Sequence, residues 1–206
     1  MAPSLLSKLC VCALVLASGL ASDAQEAGRD TQELVLESGP LAFDGETNLF
    51  RIKAPRIRRG DLSITADEAV ATGVEFDAAS EWRFTGHVRI EVGTAVLNAE
   101  SAVFTFEQGR PSRGELEGAP VVFSDVDEKQ RSVTGNAQKM SYDYVARTLR
   151  LTDGAWVRLD KREIRGCDLI YDFAAERVTS GSVDCADLFR VRVLPDDEPS
   201  PPDPPQ

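Results

Sequence analysis

The chain has very few of the residues on which most catalytic and metal sites depend. Its 206 residues include a single histidine, His87, and four cysteines. A histidine-based triad or metal centre would therefore have one candidate, and no cysteine or second histidine lies at ligand spacing from it. The glycine-rich loop that binds phosphates in nucleotide-dependent enzymes is also missing. These absences argue against an enzyme, a cofactor or a metal, and they favour a structural role for His87.

Helical periodicity and positive charge are also scarce. No stretch of about a dozen residues repeats its apolar positions with the period of a helix. The 34 acidic residues outnumber the 23 Lys and Arg, and the formal net charge of −11 makes nucleic acid an unsuitable partner. Carboxylate pairs such as Asp67 with Glu68, or Glu115 with Glu117, could serve acid–base chemistry. The ordinary explanation for these pairs is a solvated polar face.

Composition divides the chain into four segments. Residues 1–24 have the pattern of a secretory signal peptide, with the short apolar run Leu9–Ala21 after a basic residue. That run is shorter than the ~20 residues of a spanning helix, although an uncleaved N-terminal anchor is the alternative. Residues 25–33 are polar and predict a flexible leader, and residues 34–194 predict one β domain. Residues 195–206 are acidic and proline-rich, which predicts a disordered tail.

The four cysteines fall into two pairs. Removal of the signal peptide would also remove Cys10 and Cys12, leaving Cys167 and Cys185 in an oxidising compartment. A disulfide between these two would stabilise the fold by roughly 3 kcal/mol. The alternative is two thiols that never meet, because nothing in the sequence fixes the distance between them.

The stretch Ala95–Phe106 shows how the strands are built. Its apolar positions are Ala95, Leu97 and Ala99, then, after a slip of one residue, Ala102, Phe104 and Phe106. Such a slip would turn the later side chains outward unless the strand bends or bulges there. Similar slips follow small residues at Ala66, Ala137 and Gly166, and glycines precede β-branched runs at Gly86, Gly118, Gly154 and Gly181. The recurrence predicts an all-β fold of many short antiparallel strands that bend at matching positions.

Turn residues then divide the chain into strands. Residues 34–52 predict two short strands, and residues 188–195 predict a last one. Between them the predicted strands are 61–66, 69–76, 81–92, 94–106, 114–124, 131–144, 147–160, 162–173 and 177–185.

Residues 51–59 form the only concentrated basic run. Its basic residues are Arg51, Lys53, Arg56, Arg58 and Arg59. Because Pro55 cannot donate to a β-ladder, we expect an edge strand or an irregular segment here. A charged edge that prevents aggregation is one interpretation, and contact with an anionic partner is the other.

Several stretches together resemble the OstA-like family of lipopolysaccharide-transport proteins, of the LptA/LptC type. They are GDLSITADEA, GTAVLNAESAVFTF, GAPVVFSD, Gly135-x-Ala137-x-x-Met140-x-Tyr142-Asp143, and LTDGAWVRLD followed by IRGCDLIYDF. The likeness covers roughly residues 34–185. It implies a periplasmic protein with an open, twisted β-jellyroll that holds lipid A acyl chains between its two sheets. The short N-terminal apolar run favours the soluble LptA type, and the proline-rich tail is not part of the family pattern.

The resemblance also implies partners and site residues. Domains of this family dock head to tail, which implies self-association and contact with OstA-like domains of the inner-membrane transporter complex and the outer-membrane translocon. The basic run 51–59 would help to select the docking partner. The apolar residues expected to contact lipid are Ile64, Phe84, Ile90, Leu97, Phe104, Phe106, Met140, Tyr142, Leu149, Leu151, Val157, Leu159, Tyr171 and Phe173.

The alternative is a glycan-binding or structural β-sandwich without a lipid groove. Periodicity alone does not distinguish a dry core from a groove that takes an apolar ligand.

Overall fold

The computed structural model describes residues 33–72, 80–107, 110–181 and 189–195. Every regular element in these ranges is a β-strand, and together the strands form one sheet of 14 antiparallel-paired members. The strands are β1 (Val35–Glu37), β2 (Leu41–Asp44), β3 (Leu49–Lys53), β4 (Arg56–Arg59), β5 (Leu62–Thr65), β6 (Glu68–Thr72), β7 (Ser80–Val92), β8 (Ala95–Glu107), β9 (Arg110–Val126), β10 (Ser132–Asp143), β11 (Thr148–Leu159), β12 (Arg162–Asp172), β13 (Arg177–Ser180) and β14 (Arg190–Val193). Among the described residues there is no helix that could cross a membrane.

A line of irregularities divides this sheet into two half-sheets. The register shifts lie between Thr85 and Val88 in β7, Asn98 and Ser101 in β8, Ala137 and Lys139 in β10, and Thr152 and Ala155 in β11. The first half-sheet contains β2, β3, β6 and β13, and the second contains β1, β4, β5 and β14. Strands β7–β12 contribute one end to each. For example, Glu81–Thr85 of β7 pair with β6, whereas Arg89–Val92 pair with β5.

These irregularities confirm the bends predicted from the phase slips. The slip after Ala99 coincides with the shift in β8, and the slip after Ala66 falls in the break between β5 and β6. Gly86 and Gly154 lie at the bends of β7 and β11 with φ of +75° and +80°, a conformation that glycine adopts without steric cost. A bulge adds one residue to a strand, so the apolar side chains keep facing inward on both sides of it.

The two half-sheets face each other across the apolar core. Phe123 of β9 packs on Tyr171 of β12 with ring centroids 5.6 Å apart. Strands β10 and β11 separate β9 from β12 within the sheet, so this contact runs between the half-sheets rather than along one of them. Both rings belong to one continuous hydrophobic cluster of buried residues, which also includes Trp82, Phe84 and Phe104.

The N-terminal part differs from the prediction. Two strands were predicted over residues 34–52, but this range contains β1, β2 and nearly all of β3. The expectation that 51–59 is an edge or irregular segment is wrong, because β3 pairs with β2 and β6, and β4 pairs with β1 and β5. Pro55 instead lies between β3 and β4, where the chain passes from the first half-sheet to the second. At this position no backbone N–H has to donate to a β-ladder, so the missing N–H of Pro55 costs no hydrogen bond.

The C-terminal strands agree with the prediction where they are described. The predicted last strand is present as β14, paired with β12. The predicted strand 177–185 is seen as β13, up to Ser180. The rest of it, including Cys185, lies outside the described residues.

Candidate functional site

The apolar interior between the half-sheets is the candidate site. It is formed by the residues expected to contact lipid. The second half-sheet contributes Ile64, Ile90, Leu97, Val157 and Leu159, and the first contributes Phe84, Phe104, Phe106, Met140, Tyr142, Leu149, Leu151 and Tyr171, with Phe173 directly after β12. All of these except Leu159 and Phe173 are at most 4% exposed. The half-sheets are therefore closed on each other, and the predicted lining residues pack together as a core.

Two aromatic clusters fill this interior. The first lies on β7 and β8, where Trp82, Phe84, Phe104 and Phe106 pack with ring centroids 6.0 to 6.3 Å apart. The second lies near the other end of the sheet and consists of Phe123, Tyr142, Tyr144, Tyr171 and Phe173. Three further buried residues, Trp82, Leu116 and Phe123, were not among the residues expected to contact lipid. The signal for Trp82 is alternation in β7, where it lies on the same side as Phe84.

Glycines make room for two of these rings. A Cβ atom on Gly114 would lie 2.8 Å from the ring of Phe104. A Cβ on Gly135 would lie 2.7 Å from Cε1 of Phe123 and 2.7 Å from the carbonyl oxygen of Trp156. The aromatic rings therefore lie directly over the glycine backbone, and any larger residue at these positions would displace them.

Polar side chains join the half-sheets at their rims, which are the strand ends furthest from the line of bends. The Tyr144 hydroxyl lies 3.1 Å from Oδ1 of Asp61, and the Tyr171 hydroxyl lies 3.4 Å from Oδ2 of Asp125. Burial raises the pKa of Tyr142 to about 12, and burial together with Asp125 raises the pKa of Tyr171 further. Both phenols are therefore neutral at neutral pH, and Tyr171 donates its hydrogen bond to Asp125.

A second rim contact connects the β9–β10 turn with the β12–β13 turn. Glu176 accepts hydrogen bonds from the backbone N–H of Glu128 at 2.8 Å and from Nη2 of Arg131 at 3.1 Å. Lys129 Nζ lies 3.2 Å from the same Glu176 carboxylate. Asp127 accepts from the backbone and Nε of Arg131 at 2.8 and 2.6 Å. Desolvation of the Asp127 carboxylate raises its pKa, but the hydrogen bonds lower the pKa by more. The pKa of Asp127 is therefore lowered from its ordinary value.

The structure does not bring the basic run 51–59 together as one patch. Arg51 and Lys53 lie exposed on β3 in the first half-sheet, and Lys53 pairs with Glu68. Arg56 and Arg58 lie exposed on β4 in the second half-sheet, where Arg58 is 2.9 Å from Glu37. Arg59 is only 7% exposed. The contiguous charges of the sequence are thus divided between two surfaces.

Sequence reasoning missed a different basic cluster, on the outer face of the second half-sheet. Arg158, Arg165, Arg190 and Arg192 come from β11, β12 and β14 and surround Glu163. Pairing of β12 with both β11 and β14 brings them together. No contiguous run of the sequence predicts this cluster, because its members lie on the three separate strands β11, β12 and β14.

Cys167 is disulfide-bonded, but its predicted partner Cys185 lies outside the described residues. The pairing of these two residues therefore stays a prediction.

The family model described as LptA/(LptD N-terminal domain) LPS transport protein matches residues 64–177, more than half of the chain. This chain belongs to that family of lipopolysaccharide-transport proteins. The predicted family is thereby confirmed, and the match extends from β5 to the start of β13. It includes all the residues that we expected to contact lipid, but neither the run 51–59 nor β14.

Curated relatives of this family member include the lipopolysaccharide export system protein LptA of Escherichia coli K12 and that of Shigella flexneri. Each is 28% identical over 90 residues, which are 43% of this chain and 49% of the relative. The chain thus spans about half the length of the curated relatives it matches.

A solved structure shares the fold. It is that of LptH, described as the LptA-homologous periplasmic component of the lipopolysaccharide transport device of Pseudomonas aeruginosa. The TM-score is 0.50 at 12% identity, over 80% of this chain and 96% of LptH. With the 14 antiparallel strands, this likeness confirms the predicted all-β jellyroll.

Proposed function

We propose that this protein is a periplasmic carrier that shields the acyl chains of lipopolysaccharide between its two half-sheets during transport towards the outer membrane. The supporting observation is the continuous apolar interior, whose walls lie within the family match at residues 64–177. No catalytic group is needed for this role, because transfer of acyl chains between apolar surroundings breaks no covalent bond.

Burial of acyl chains provides enough free energy for such a carrier. Each buried CH₂ contributes about 0.8 kcal/mol, so one chain of about 12 to 14 carbons gains roughly 10 kcal/mol before the cost of ordering it. The phosphorylated sugar headgroup would stay in water, where its charges remain solvated.

Entry of an acyl chain requires the half-sheets to separate, because the interior residues now fill the space between them. Side-chain contacts join the rims, through Tyr144 with Asp61, Tyr171 with Asp125, and Glu176 with the β9–β10 turn. Such contacts are individually weaker than a continuous β-ladder. The rim opposite the line of bends is therefore the proposed opening.

The sheet edges are the proposed docking surfaces. Among the described residues β1 pairs only with β4, β2 only with β3, β13 only with β12, and β14 only with β12. Unpaired main-chain groups on such strands can receive a strand from a neighbouring domain. We propose that copies of this chain and other domains of the family associate there, head to tail. The signal peptide over residues 1–24, the leader 25–33 and the tail 195–206 belong to the same proposal.

The close packing of the interior also favours a second candidate, a structural β-sandwich with a dry core. Most of the predicted lining residues are at most 4% exposed, as in a core that takes no ligand. A glycan-binding sandwich is the third possibility, and it would bind the sugar without needing the acyl chains.

Binding of intact and deacylated lipopolysaccharide by the purified protein separates these functions. A carrier binds radiolabelled intact lipopolysaccharide, and a chemically deacylated competitor fails to displace it even in large excess. Displacement by the deacylated form at equal concentration would establish glycan binding instead. A folded protein that binds neither form would contradict the carrier proposal and support the structural one.

A further inference from the structure

A network of ion pairs crosses the rim at which the interior is proposed to open. It joins Lys129 and Arg131 of the β9–β10 turn to Glu176 of the β12–β13 turn. The first of these turns lies at the end of the second half-sheet, and the other lies at the end of the first. We call Lys129, Arg131 and Glu176 the rim latch, because their contacts hold the two ends together.

The rim latch lies beside the aromatic pair of Phe123 and Tyr171. Burial and the charge of Asp125 raise the pKa of Tyr171 most. The charges of Asp127 and Glu176 raise it further, so both carboxylates are within electrostatic range of the Tyr171 hydroxyl. An acyl chain that enters at this part of the rim passes the two rings, and its headgroup stays at the rim latch.

The two sides of the rim latch are not held equally. Oδ2 of Asp127 lies 2.6 Å from both Nε and Nη2 of Arg131 in the same turn, and the Asp127 side chain is 0% exposed. Its Oδ1 accepts from the backbone N–H groups of Lys129 and Arg131 at 2.9 and 2.8 Å. The contacts across the rim are longer, since Nη2 of Arg131 and Nζ of Lys129 lie 3.1 and 3.2 Å from Oε2 of Glu176. Asp127 therefore keeps Arg131 in place when Glu176 moves away.

The β9–β10 turn presents three donors to one anion. Besides Arg131 and Lys129, the backbone N–H of Glu128 donates to Oε1 of Glu176 at 2.8 Å. The side chains of Lys129 and Arg131 are 69% and 31% exposed, so an anion from outside can contact them. A phosphate group has three acceptor oxygens and more negative charge than a carboxylate, and a guanidinium group binds such oxygens in pairs.

Two further carboxylates near this turn favour an anion that arrives attached to a lipid. Hydrogen bonding to Asp127 raises the pKa of Arg131 most. The charge of Asp160 also raises it, and the side chain of Glu128 is exposed on the turn itself. Repulsion from Asp160 and Glu128 weakens the binding of free anions. A phosphate linked to an acyl chain in the interior is instead held beside the turn at high effective concentration.

We propose that the three donors of the β9–β10 turn bind a phosphate group of the lipid headgroup, which displaces Glu176 and so releases the rim. This inference rests on the proposed carrier function. Lys129 and Arg131 keep an anionic partner in both forms, and water solvates the displaced carboxylate. Because the phosphate binds only the released form, its binding favours opening. An apolar ligand without a phosphate group has no anion with which to replace Glu176.

Titration of the purified protein with inorganic pyrophosphate at constant ionic strength tests the exchange without any acyl chain. The amide resonances of Glu128 and Glu176 report it in NMR, because the Glu128 N–H changes its acceptor and the Glu176 side chain moves away. We expect saturable shifts of both resonances at millimolar pyrophosphate. Glu176→Gln should lower the half-saturating concentration by about fivefold, since a neutral amide competes less well than a carboxylate. Arg131→Gln should raise it by about tenfold or more.

Matched controls remove the same charges near the line of bends, away from the rim. Glu68→Gln is the control for Glu176→Gln, because Glu68 is an exposed member of an ion pair. Lys139→Gln is likewise the control for Lys129→Gln. Both controls should respond to pyrophosphate as the unmodified protein does, whereas Lys129→Gln should raise the half-saturating concentration by about threefold. Lys129→Gln leaves Arg131 bonded within its turn, so it tests the site even if Arg131→Gln fails to fold. Absence of the two shifts, or equal responses of Lys129→Gln and Lys139→Gln, would overturn the proposal.

Binding of phosphorylated and enzymatically dephosphorylated lipopolysaccharide separates this proposal from the carrier function. We expect the unmodified protein to bind the phosphorylated form about tenfold more tightly. Arg131→Gln and Lys129→Gln should reduce this preference, and Lys139→Gln should preserve it. Equally tight binding of the two forms by the unmodified protein would overturn the exchange at the rim latch and leave the carrier function standing. A pyrophosphate response without binding of either lipopolysaccharide would contradict both the carrier function and a lipid as the source of the phosphate.

Discussion

The hydroxyl of Tyr171 lies 3.4 Å from Oδ2 of Asp125, and this contact joins the first half-sheet to the second. Asp125 also accepts hydrogen bonds from the Thr94 hydroxyl at 2.7 Å and from the backbone N–H of Val126 at 2.8 Å. The carboxylate is thus a shared acceptor for groups on both half-sheets, at the rim where we propose that the interior opens.

Removal of this acceptor should destabilise the closed form. Asp125→Ala leaves the hydroxyl of Tyr171 without its acceptor, and it leaves the Thr94 hydroxyl with only the carbonyl oxygen of Val126 at 3.2 Å. We expect a loss of about 1–3 kcal/mol in the free energy of unfolding. Tyr171→Phe removes only the donor and should cost about 1 kcal/mol. Urea denaturation measures both, with Ser124→Ala, an exposed neighbour on β9, as control. An Asp125→Ala variant as stable as the control would show that the rim contact contributes nothing.

Gly135 should tolerate no side chain. A Cβ there would lie 2.7 Å from Phe123, so Gly135→Ala must displace that ring or the strand. Overpacking of this kind costs about 1–3 kcal/mol, which thermal or urea denaturation would detect. Gly45→Ala is the matched control, because the nearest atom to its Cβ would be 3.7 Å away, an ordinary contact. Equal stability of the two variants would mean that the interior is less tightly packed than described.

The free energy of unfolding should fall at acid pH, because two carboxylates that stabilise the fold become protonated. The folded-state pKa values of Asp127 and Glu163 are lowered from ordinary values of 3.8 and 4.5. Both groups therefore bind protons more readily in the unfolded chain, and their stabilising contribution, complete above about pH 5, is lost as pH falls through the lowered values. Urea denaturation at several pH values should show this loss. Glu163→Gln should show a shallower decline, and a decline as steep as in the unmodified protein would exclude Glu163 as a cause.

The disulfide of Cys167 should involve Cys185. Peptide mapping without reduction is expected to recover a peptide that contains both residues, and Cys185→Ser should destabilise the fold by roughly 3 kcal/mol. Recovery of Cys167 linked to Cys10 or Cys12 would contradict both this pairing and removal of residues 1–24. Cys10→Ser/Cys12→Ser serves as the control and should leave the stability unchanged.

Alternation of apolar residues was enough to predict the bends and the strands from β5 to β12, although not the N-terminal strands. Ala99 and Ala102 lie on either side of a phase slip that appears in the structure as the bulge of β8. Local periodicity records which side of a strand faces inward, and a bulge leaves a visible mark on that periodicity. The inward positions of Phe104, Met140 and Tyr171 follow from the same rule.

Pairing between distant strands could not be predicted in this way. The run 51–59 is contiguous in sequence, yet the break at Pro55 sends Arg51 and Arg58 to different half-sheets. Conversely, Arg158 and Arg190 share a surface only because β12 pairs with both β11 and β14. The close packing of the interior could not be predicted from the sequence either, because a dry core and a lipid groove need the same alternation of apolar and polar residues.

In-cell photocrosslinking at Phe173 tests the lipid path most directly. Phe173 is half-buried next to Tyr142 and Tyr171 at the rim, so p-benzoylphenylalanine there replaces one aromatic ring with another at the proposed opening. The control is the same probe in place of Lys139, an exposed residue that faces outward on β10. The carrier account predicts a lipopolysaccharide adduct from Phe173 and none from Lys139. Folded, periplasmic protein without an adduct at Phe173, or with equal adducts at both positions, would contradict it.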